Sequence, residues 1–520
     1  MTDARTVDPM ITGPAYERNA ALMILDRIRR SPENVATVVL GEPEITYAEL
    51  GRRVAAVAAI LRAEGVGPGD RVAFAAGNSA EVVDHLAATL ALGAVFVPLN
   101  TRLSPAELRF IVDDAGCKVV VADAAMAAHL EPVRAELSAA LIGFGPGLPE
   151  GWRDEASLAP ADVPALGQPV ATAPEDVAIL MYTSGTTGNP KGVMISHGNL
   201  AATVQNLLLL IPFGADAGML AMAPIFHVGA MALVMGALAT GGRVVILRAF
   251  DPKAVFDAIE QQVVTFTFGV PAMLQMMTTD PRFERADLSK ILIMCAGAPV
   301  PESLLELYLD RGAKVTQGYG LTESTAVVSL LESGFARAKL GSAGMPYPLT
   351  AVEIRDPDGR VITEPGVDGE IWIKGRNVVS GYWNRPEETA ALHDEDGWLR
   401  TGDAGHLDAE GFLYITDRIK DMLITGGENV YPAEVEKVLA GHPAIAEVAV
   451  IGTPDEQWGE VVTAVVVTKP DQTLDLDELQ TFARQHLGGY KVPRRMHLVD
   501  ALPRNASGKV LKRDLRAELA

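Results

Sequence analysis

Cysteine is nearly absent: Cys117 and Cys295 are the only two in 520 residues and lie far apart. That excludes a disulfide framework and a cysteine-rich metal site, and fits a reducing cytoplasm. Positive charge is also scarce. Lys and Arg number 44 against 66 Asp and Glu, a formal net charge of -22, so a broad nucleic-acid footprint, which needs clustered cations, is excluded. An acidic surface gives anionic lipid little attraction. The long apolar stretches are interrupted by Gly, Pro or charge, so no integral membrane association is expected. The opening MTDARTVDPM has no apolar core of the kind a signal peptide needs. Any anionic ligand must be drawn in by local basic groups and backbone dipoles, against the overall field.

What is present is ample core material, 48% hydrophobic and 21% charged residues, enough for two or more domains. From about 35 to 330 short β-rich runs such as RVAFAA (71–76), KVVVAD (118–123) and RVVILR (243–248) alternate with helical patterns. That alternation predicts βαβ units on largely parallel sheets. The stretch from Pro146 to Pro174 lacks periodicity and reads as a surface connection. After Gly341, AVEIRD, GEIWIKG and GFLYITD are short strands separated by turn signals such as Asp358-Gly359 and Glu410-Gly411, a hairpin-rich β unit. From Ile419 onward a strand, a helix opening at Pro432, strands at 445–451 and 461–467 and a last helix predict a small α+β domain. The expected fold is therefore α/β plus α+β. A large domain over 1–416 holds βαβ subdomains and a β-barrel-like unit, a hinge spans 417–421, and a small mobile domain covers 422–520.

The segment YTSGTTGNPKG, Tyr182 to Gly192, follows the strand-like VAILM and precedes a helix suggested by SHGNLAATVQNLLLL. Gly185 and Gly188 let backbone N–H groups approach a polyphosphate, Thr183, Ser184, Thr186 and Thr187 add hydroxyls, and Lys191 adds charge. It is not a Walker A loop: two residues, not four, separate the glycines, and Gly192 follows the lysine. Alone, such a loop also reads as a flexible polar turn.

TSGTTGNPKG resembles the signature loop of the adenylate-forming superfamily of acyl-CoA and aryl-CoA synthetases, luciferases and peptide-synthetase adenylation domains. Further stretches match that family in order along nearly the whole chain: GAPVP (297–301), QGYGLTES (317–324), TGD (401–403), DRIKD (417–421), GGENVYP (426–432) and PRNASGKVLKRDL (503–515). The chain is most similar to the fatty acyl-CoA synthetase form. The resemblance implies ATP and CoA as co-substrates, Mg²⁺ as cofactor, and a carboxylic acid that becomes an acyl-adenylate and then a thioester.

Site roles follow by the same resemblance. Ala298, Gln317, Gly318 and Tyr319 line the nucleotide pocket, Thr322 meets the α-phosphate, and Glu323, with Thr183, holds the metal; Thr187 of the loop is catalytic. Asp403 and Arg418 take the ribose hydroxyls, for which a structural salt bridge is the alternative. Lys420 is the hinge. Lys509 bridges the attacking carboxylate and the α-phosphate, the alternative being one more surface lysine. His227, Val228, Gly229 and Gly320 border the acyl pocket, where His227 positions the carboxylate or is simply a buried structural histidine. Gly426, Gly427 and Asn429 border the pantetheine tunnel, the glycines leaving room for a thiol arm. Cys295 is read as packing.

The acid is poorly specified. VGAMALVMGALATGG after His227 is small and apolar and offers no carboxylate for an α-amino group, so a medium or long aliphatic acid is the first expectation and an aromatic or polycyclic acid the second. A carrier-protein thiol as acceptor, a non-catalytic nucleotide sensor and a homodimer stay open. No fused carrier domain is expected after Lys509.

Overall fold

The computed structural model describes residues 19–183, 190–298, 300–419, 421–425, 428–455, 458–504 and 508–519. It divides into two compact units, Met1–Ala351 with Ile373–Leu399, and Val352–Trp372 with Arg400–Ala520. Among the described residues no helix is long and apolar enough to cross a membrane.

The first unit carries two large sheets. In the seven-stranded one the order is Arg153–Asp154, Ala140–Phe144, Cys117–Asp123, Arg71–Ala75, Val95–Pro98, Val177–Thr183, Lys191–Ser196, every pair parallel except the last. The nine-stranded one has a parallel centre in the order Val35–Val39, Arg243–Ile246, Gly218–Ala221, Phe266–Gly269, Leu292–Ala296, Lys314–Tyr319, with short antiparallel strands at both edges. Parallel strands are covered on both faces by their crossover helices. Hence runs such as VVVA at 119–122 and VVI at 244–246 are continuously apolar and buried. Both cysteines are buried, and burial pushes each thiol up to about 12, which leaves them inert packing groups.

Two expectations are refined. Within the Pro146–Pro174 connection, Arg153–Asp154 adds an edge strand, Glu155–Leu158 forms a short helix and Trp152 is buried; 146–152 and 159–174 hold no helix or strand. Between the polar loop and its following helix, the structure inserts the strand Lys191–Ser196, antiparallel to Val177–Thr183, while the helix itself, His197–Leu210 with Ser196 as its N-cap, falls where SHGNLAATVQNLLLL places it. The alternating KGVMIS pattern is long enough to pair with VAILMYT. The helix is opened by a capping box in which the Ser196 side chain accepts from the Asn199 N–H.

The second unit is built on a four-stranded sheet, Thr350–Arg355, Gly369–Gly375, Leu399–Leu407, Leu413–Arg418, and a five-stranded one. The latter centres on a long hairpin, Ile445–Asp455 with Gly459–Thr468. Helices Pro432–Leu439 and Leu476–Ala483 bury Val435, Leu439, Leu479 and Ala483 in its core, and Lys512–Leu519 buries Leu515 in a smaller cluster.

Candidate active site

Four neighbouring parallel strands of the nine-stranded sheet, Gly218–Ala221, Phe266–Gly269, Leu292–Ala296 and Lys314–Tyr319, end on one edge. Ligands of open α/β sheets gather beyond that carboxyl edge, where loops converge while helices cover the faces. The expected site residues of this unit leave these strand ends: His227, Val228 and Gly229 after the first, Ala298 after the third, and Gly320, Thr322 and Glu323 after the fourth. Cys295 pairs with Gln317 and Ala296 with Gly318, so Gln317, Gly318 and Tyr319 stand beside the approach to Ala298.

The segment after Tyr319 is held under backbone strain. Thr325 and Ala326 have φ of 49° and 82°, a region that side chains with a Cβ avoid unless their surroundings over-determine it. Those surroundings are a set of buried amides and hydroxyls. The Thr203 hydroxyl donates to the Thr325 carbonyl at 3.0 Å, and Asn377 Nδ2 donates to the carbonyls of Ser324 and Val327 at 3.0 and 2.8 Å. Gly320 allows the return of the chain: a Cβ there would lie 1.9 Å from the Ala326 carbonyl oxygen. The result presents Thr322 and Glu323 on a single short 3₁₀ turn, Thr322–Ser324, closed by Ser324 Oγ accepting from Leu321 N–H at 3.1 Å.

The polar hairpin meets this turn through a residue that the sequence reading missed. Thr183 stands opposite Lys191 in the hairpin register. Lys191 Nζ is 3.4 Å from Glu388 and 5.5 Å from the Tyr382 ring centroid, and the Tyr382 hydroxyl donates to Glu323 Oε1 at 2.7 Å. Burial and, second, the Glu323 charge push the Tyr382 phenol upward, so it stays protonated. The backbone around Tyr382 is fixed: Met194 N–H donates to the Gly381 carbonyl at 3.0 Å, Trp383 N–H to the Gly192 carbonyl at 2.7 Å, and Val379 N–H to the Glu323 carbonyl at 3.0 Å. A second anchor is Asp114, which accepts from the Tyr182 hydroxyl at 2.7 Å and from Arg385 at 2.8 Å. Because Lys191 begins a strand, no helix N-terminus follows the loop directly, and Lys191 brings a positive charge to its end. Ser184, Gly185, Thr186, Thr187 and Gly188 lie outside the described residues.

His227 takes the N-cap position of the helix Val228–Thr240 without a side-chain cap bond. The residue as a whole keeps solvent exposure, while its ring stands 4.6 Å from that of Phe226 between centroids. The surrounding protein and, second, the Arg102 charge push its imidazole down to about 4, so it is neutral at neutral pH. Val228 and Gly229 are half-buried, and a Cβ on Gly229 would come 3.3 Å from Phe268 Cζ.

In the second unit Asp403 is 5% exposed and stands directly opposite Arg418 in antiparallel strands; the Arg418 side chain lies outside the description. Lys509 is exposed, after Gly508 at a φ of 84° and between residues that close a loop: Arg504 bridges Val510, and the Leu511 N–H donates to the Pro503 carbonyl at 2.8 Å. Asn429 lies in the strand Glu428–Val430, its side chain outside the description, while Lys420, Gly426 and Gly427 lie outside the described residues.

The profile of the AMP-binding enzyme family matches residues 25–383, and that of the AMP-binding enzyme C-terminal domain matches 434–509. The chain belongs to the AMP-binding enzyme family. Among relatives in that family, a feruloyl-CoA synthase of Amycolatopsis sp is 44% identical over 492 residues, covering 94% of this chain and 97% of the relative. A long-chain-fatty-acid–CoA ligase, FadD13, of Mycobacterium tuberculosis is 39% identical over 512 residues, covering 96% and 98%. Of the solved structures, the o-succinylbenzoate CoA synthetase of Bacillus subtilis with its acyl-adenylate intermediate superposes with a TM-score of 0.85 at 34% identity, over 95% of this chain and 97% of that one. The adenylate-forming superfamily and the α/β plus α+β architecture expected from the motifs are those of the chain, and it is an enzyme.

No group of three or more His, Cys, Asp or Glu able to cage a metal occurs among the described residues. A magnesium ion needs no such cage, since it keeps several waters and takes one or two carboxylates with phosphate oxygens. Glu323, one of its oxygens already oriented by Tyr382, fits that demand.

Proposed function

We propose that this chain is an ATP-dependent acyl- or aryl-CoA ligase. The observation that carries the reading is the convergence on Tyr382 of Lys191 from the hairpin, over its ring, and Glu323 from the strained turn, at its hydroxyl. Cation and carboxylate are thereby presented together beside a carboxyl edge that also bears His227 and Gly229.

In the first step a carboxylate oxygen of the acid attacks the α-phosphorus of ATP, the bond to the bridging oxygen of the β-phosphate breaks, and pyrophosphate leaves. Lys191 and the hairpin hold the phosphates, and Gln317 to Tyr319 with Ala298 bound the nucleotide. Glu323, with Thr183, would hold magnesium, whose charge offsets that developing on the departing pyrophosphate. The attack brings anion to anion, so a cation placed at the developing charge lowers the barrier; Lys509 takes that role. His227, neutral at working pH, orients the acid through a hydrogen bond and removes no proton, because an ionised carboxylate has none to give. In the second step the CoA sulfur attacks the acyl carbon, the thiol proton goes to solvent and AMP departs. Asp403 and Arg418 serve the ribose, Lys420 is the pivot of a hinge at 417–421, and Gly426, Gly427 and Asn429 border the thiol's path.

For the acid, the reading is a hydrophobic one, with planar aryl acids ahead of long aliphatic ones. It is supported by the Phe268 ring, which lies against the side-chain-free face of Gly229, and by the feruloyl-CoA synthase relative. Pyrophosphate release is to be measured over a panel of aryl and aliphatic acids, with CoA, with a carrier-protein thiol and with neither. Acid-dependent pyrophosphate together with acyl-CoA is expected. ATP binding without acid-dependent pyrophosphate would instead mark a nucleotide sensor.

A further inference from the structure

Tyr382 has no place in the roles above, yet it touches two of them. A glutamate carboxylate rotates in a broad well about its last torsion, so a lone Glu presents either oxygen in many directions unless a neighbour fixes it. Here one oxygen, Oε1, accepts the Tyr382 hydroxyl at 2.7 Å, and the hydrogen bond aims Oε2 elsewhere. The donor is itself immobile. Gly381, at a φ of 152°, tucks under Thr389, where a Cβ would stand 2.2 Å from the Thr389 side chain, and the Tyr382 N–H donates to the Thr389 hydroxyl at 2.9 Å. The ring itself lies under Lys191, whose Nζ is 5.5 Å from its centroid. A phenol is also the right chemical type, since it orients a carboxylate without cancelling the charge a cation needs.

We propose that Tyr382 is a positioning residue that fixes the Glu323 carboxylate for divalent-cation binding and sets its register with Lys191. The proposal rests on the reading of Glu323 as the magnesium ligand. Groups that orient a metal ligand typically change metal affinity about 10- to 100-fold when removed, whereas a hydroxyl that serves packing alone has no reason to discriminate between metal-loaded and metal-free nucleotide.

The test compares ATP binding to the full-length protein, by isothermal titration calorimetry, in magnesium and in EDTA, for wild type, Tyr382→Phe and Glu323→Gln. Electron paramagnetic resonance of Mn²⁺ with ATP gives an independent reading of the bound ion. Tyr382→Phe keeps the ring and its contact with Lys191. It is expected to lose about ten-fold or more of the magnesium-dependent gain in ATP affinity, while its affinity in EDTA stays within about two-fold of wild type. An unchanged magnesium gain overturns the proposal, and so does an equal loss in both conditions or a variant that binds ATP in neither. A magnesium gain that survives Glu323→Gln removes the metal reading of Glu323 instead, and the two failures are thus distinguishable.

Discussion

Phe268 Cζ lies 3.3 Å from the point at which Gly229 would carry a Cβ, so the missing side chain and the ring are complementary. Both lie at the carboxyl edge of the sheet, Gly229 in the first turn after His227 and Phe268 in the strand Phe266–Gly269. A larger residue at 229 must move the ring or occupy the space beside it. Gly229→Val is expected to raise KM for aryl acids about ten-fold or more, with KM for ATP unchanged, since even one extra methylene in an apolar pocket is worth roughly 1–3 kcal/mol. Phe268→Ala should shift kcat/KM toward longer or bulkier acids. Steady-state kinetics over the acid panel checks both, and unchanged selectivity in the two variants would place the acyl pocket elsewhere.

Lys509 is exposed in a closed loop after a left-handed glycine, and in the proposed mechanism its charge is needed only while carboxylate and phosphate approach. Lys509→Ala should lower acid-dependent pyrophosphate exchange about 10²- to 10³-fold, the size of effect seen when one preorganised electrostatic group is removed. Thioester formation from supplied acyl-adenylate and CoA should be nearly unaffected. Equal loss of both half-reactions would take the assigned role away from Lys509.

His227 provides a contrast in pH behaviour. With its imidazole pushed down to about 4, it is neutral across the range where an ordinary histidine titrates, near 6.5. The pH profile of kcat/KM for the acid is therefore expected to be flat from about pH 6 to 8 with respect to this group, and His227→Gln should lower the plateau without changing its shape. An acid limb near pH 6.5 in wild type that vanishes in the variant would show a charged histidine at work.

The motifs pointed to a site because the family they resemble carries them in a fixed order, and the residues they name in the first unit that are described fall at strand ends or in the hairpin. Tyr382 was not readable in the same way. It is one aromatic in GYWNRP, and its importance comes from a chain segment returning some 190 residues after Lys191 (382 against 191) to pair beside that strand. The clamp on the strained turn left a fainter trace. Asn199, Thr203 and Asn206 recur at helical spacing on a mostly apolar helix, and all three are buried, Thr203 holding Thr325 and Asn206 bonding Thr350, which in turn bonds Asn377; a pattern-based reading takes them for a solvent-facing stripe. The strand Lys191–Ser196 was hidden because seven residues, 184–190, separate it from Val177–Thr183, longer than the two- to five-residue connections by which a hairpin is read from sequence.

His197, the first residue of the helix that follows the hairpin, is fully buried and accepts the Ala20 N–H through Nδ1 at 3.0 Å. Burial pushes its imidazole down to about 4, with Asp176 opposing weakly. In the unfolded chain the same group titrates near 6.5. Above that pH both states are neutral and nothing is lost. As pH falls from about 6.5 to 4, the unfolded chain takes up a proton that the folded one refuses, so stability declines with acid across this window by roughly 3 kcal/mol, and below it the loss is constant. His197→Asn keeps an acceptor for Ala20 but cannot titrate. Its melting temperature should lie below that of wild type at pH 7.5, through lost packing, and the gap should narrow or reverse by pH 4.5 in thermal unfolding followed by circular dichroism. A gap of equal size at both pH values would mean that His197 does not resist protonation, and that the buried histidine contributes nothing to the acid sensitivity of the fold.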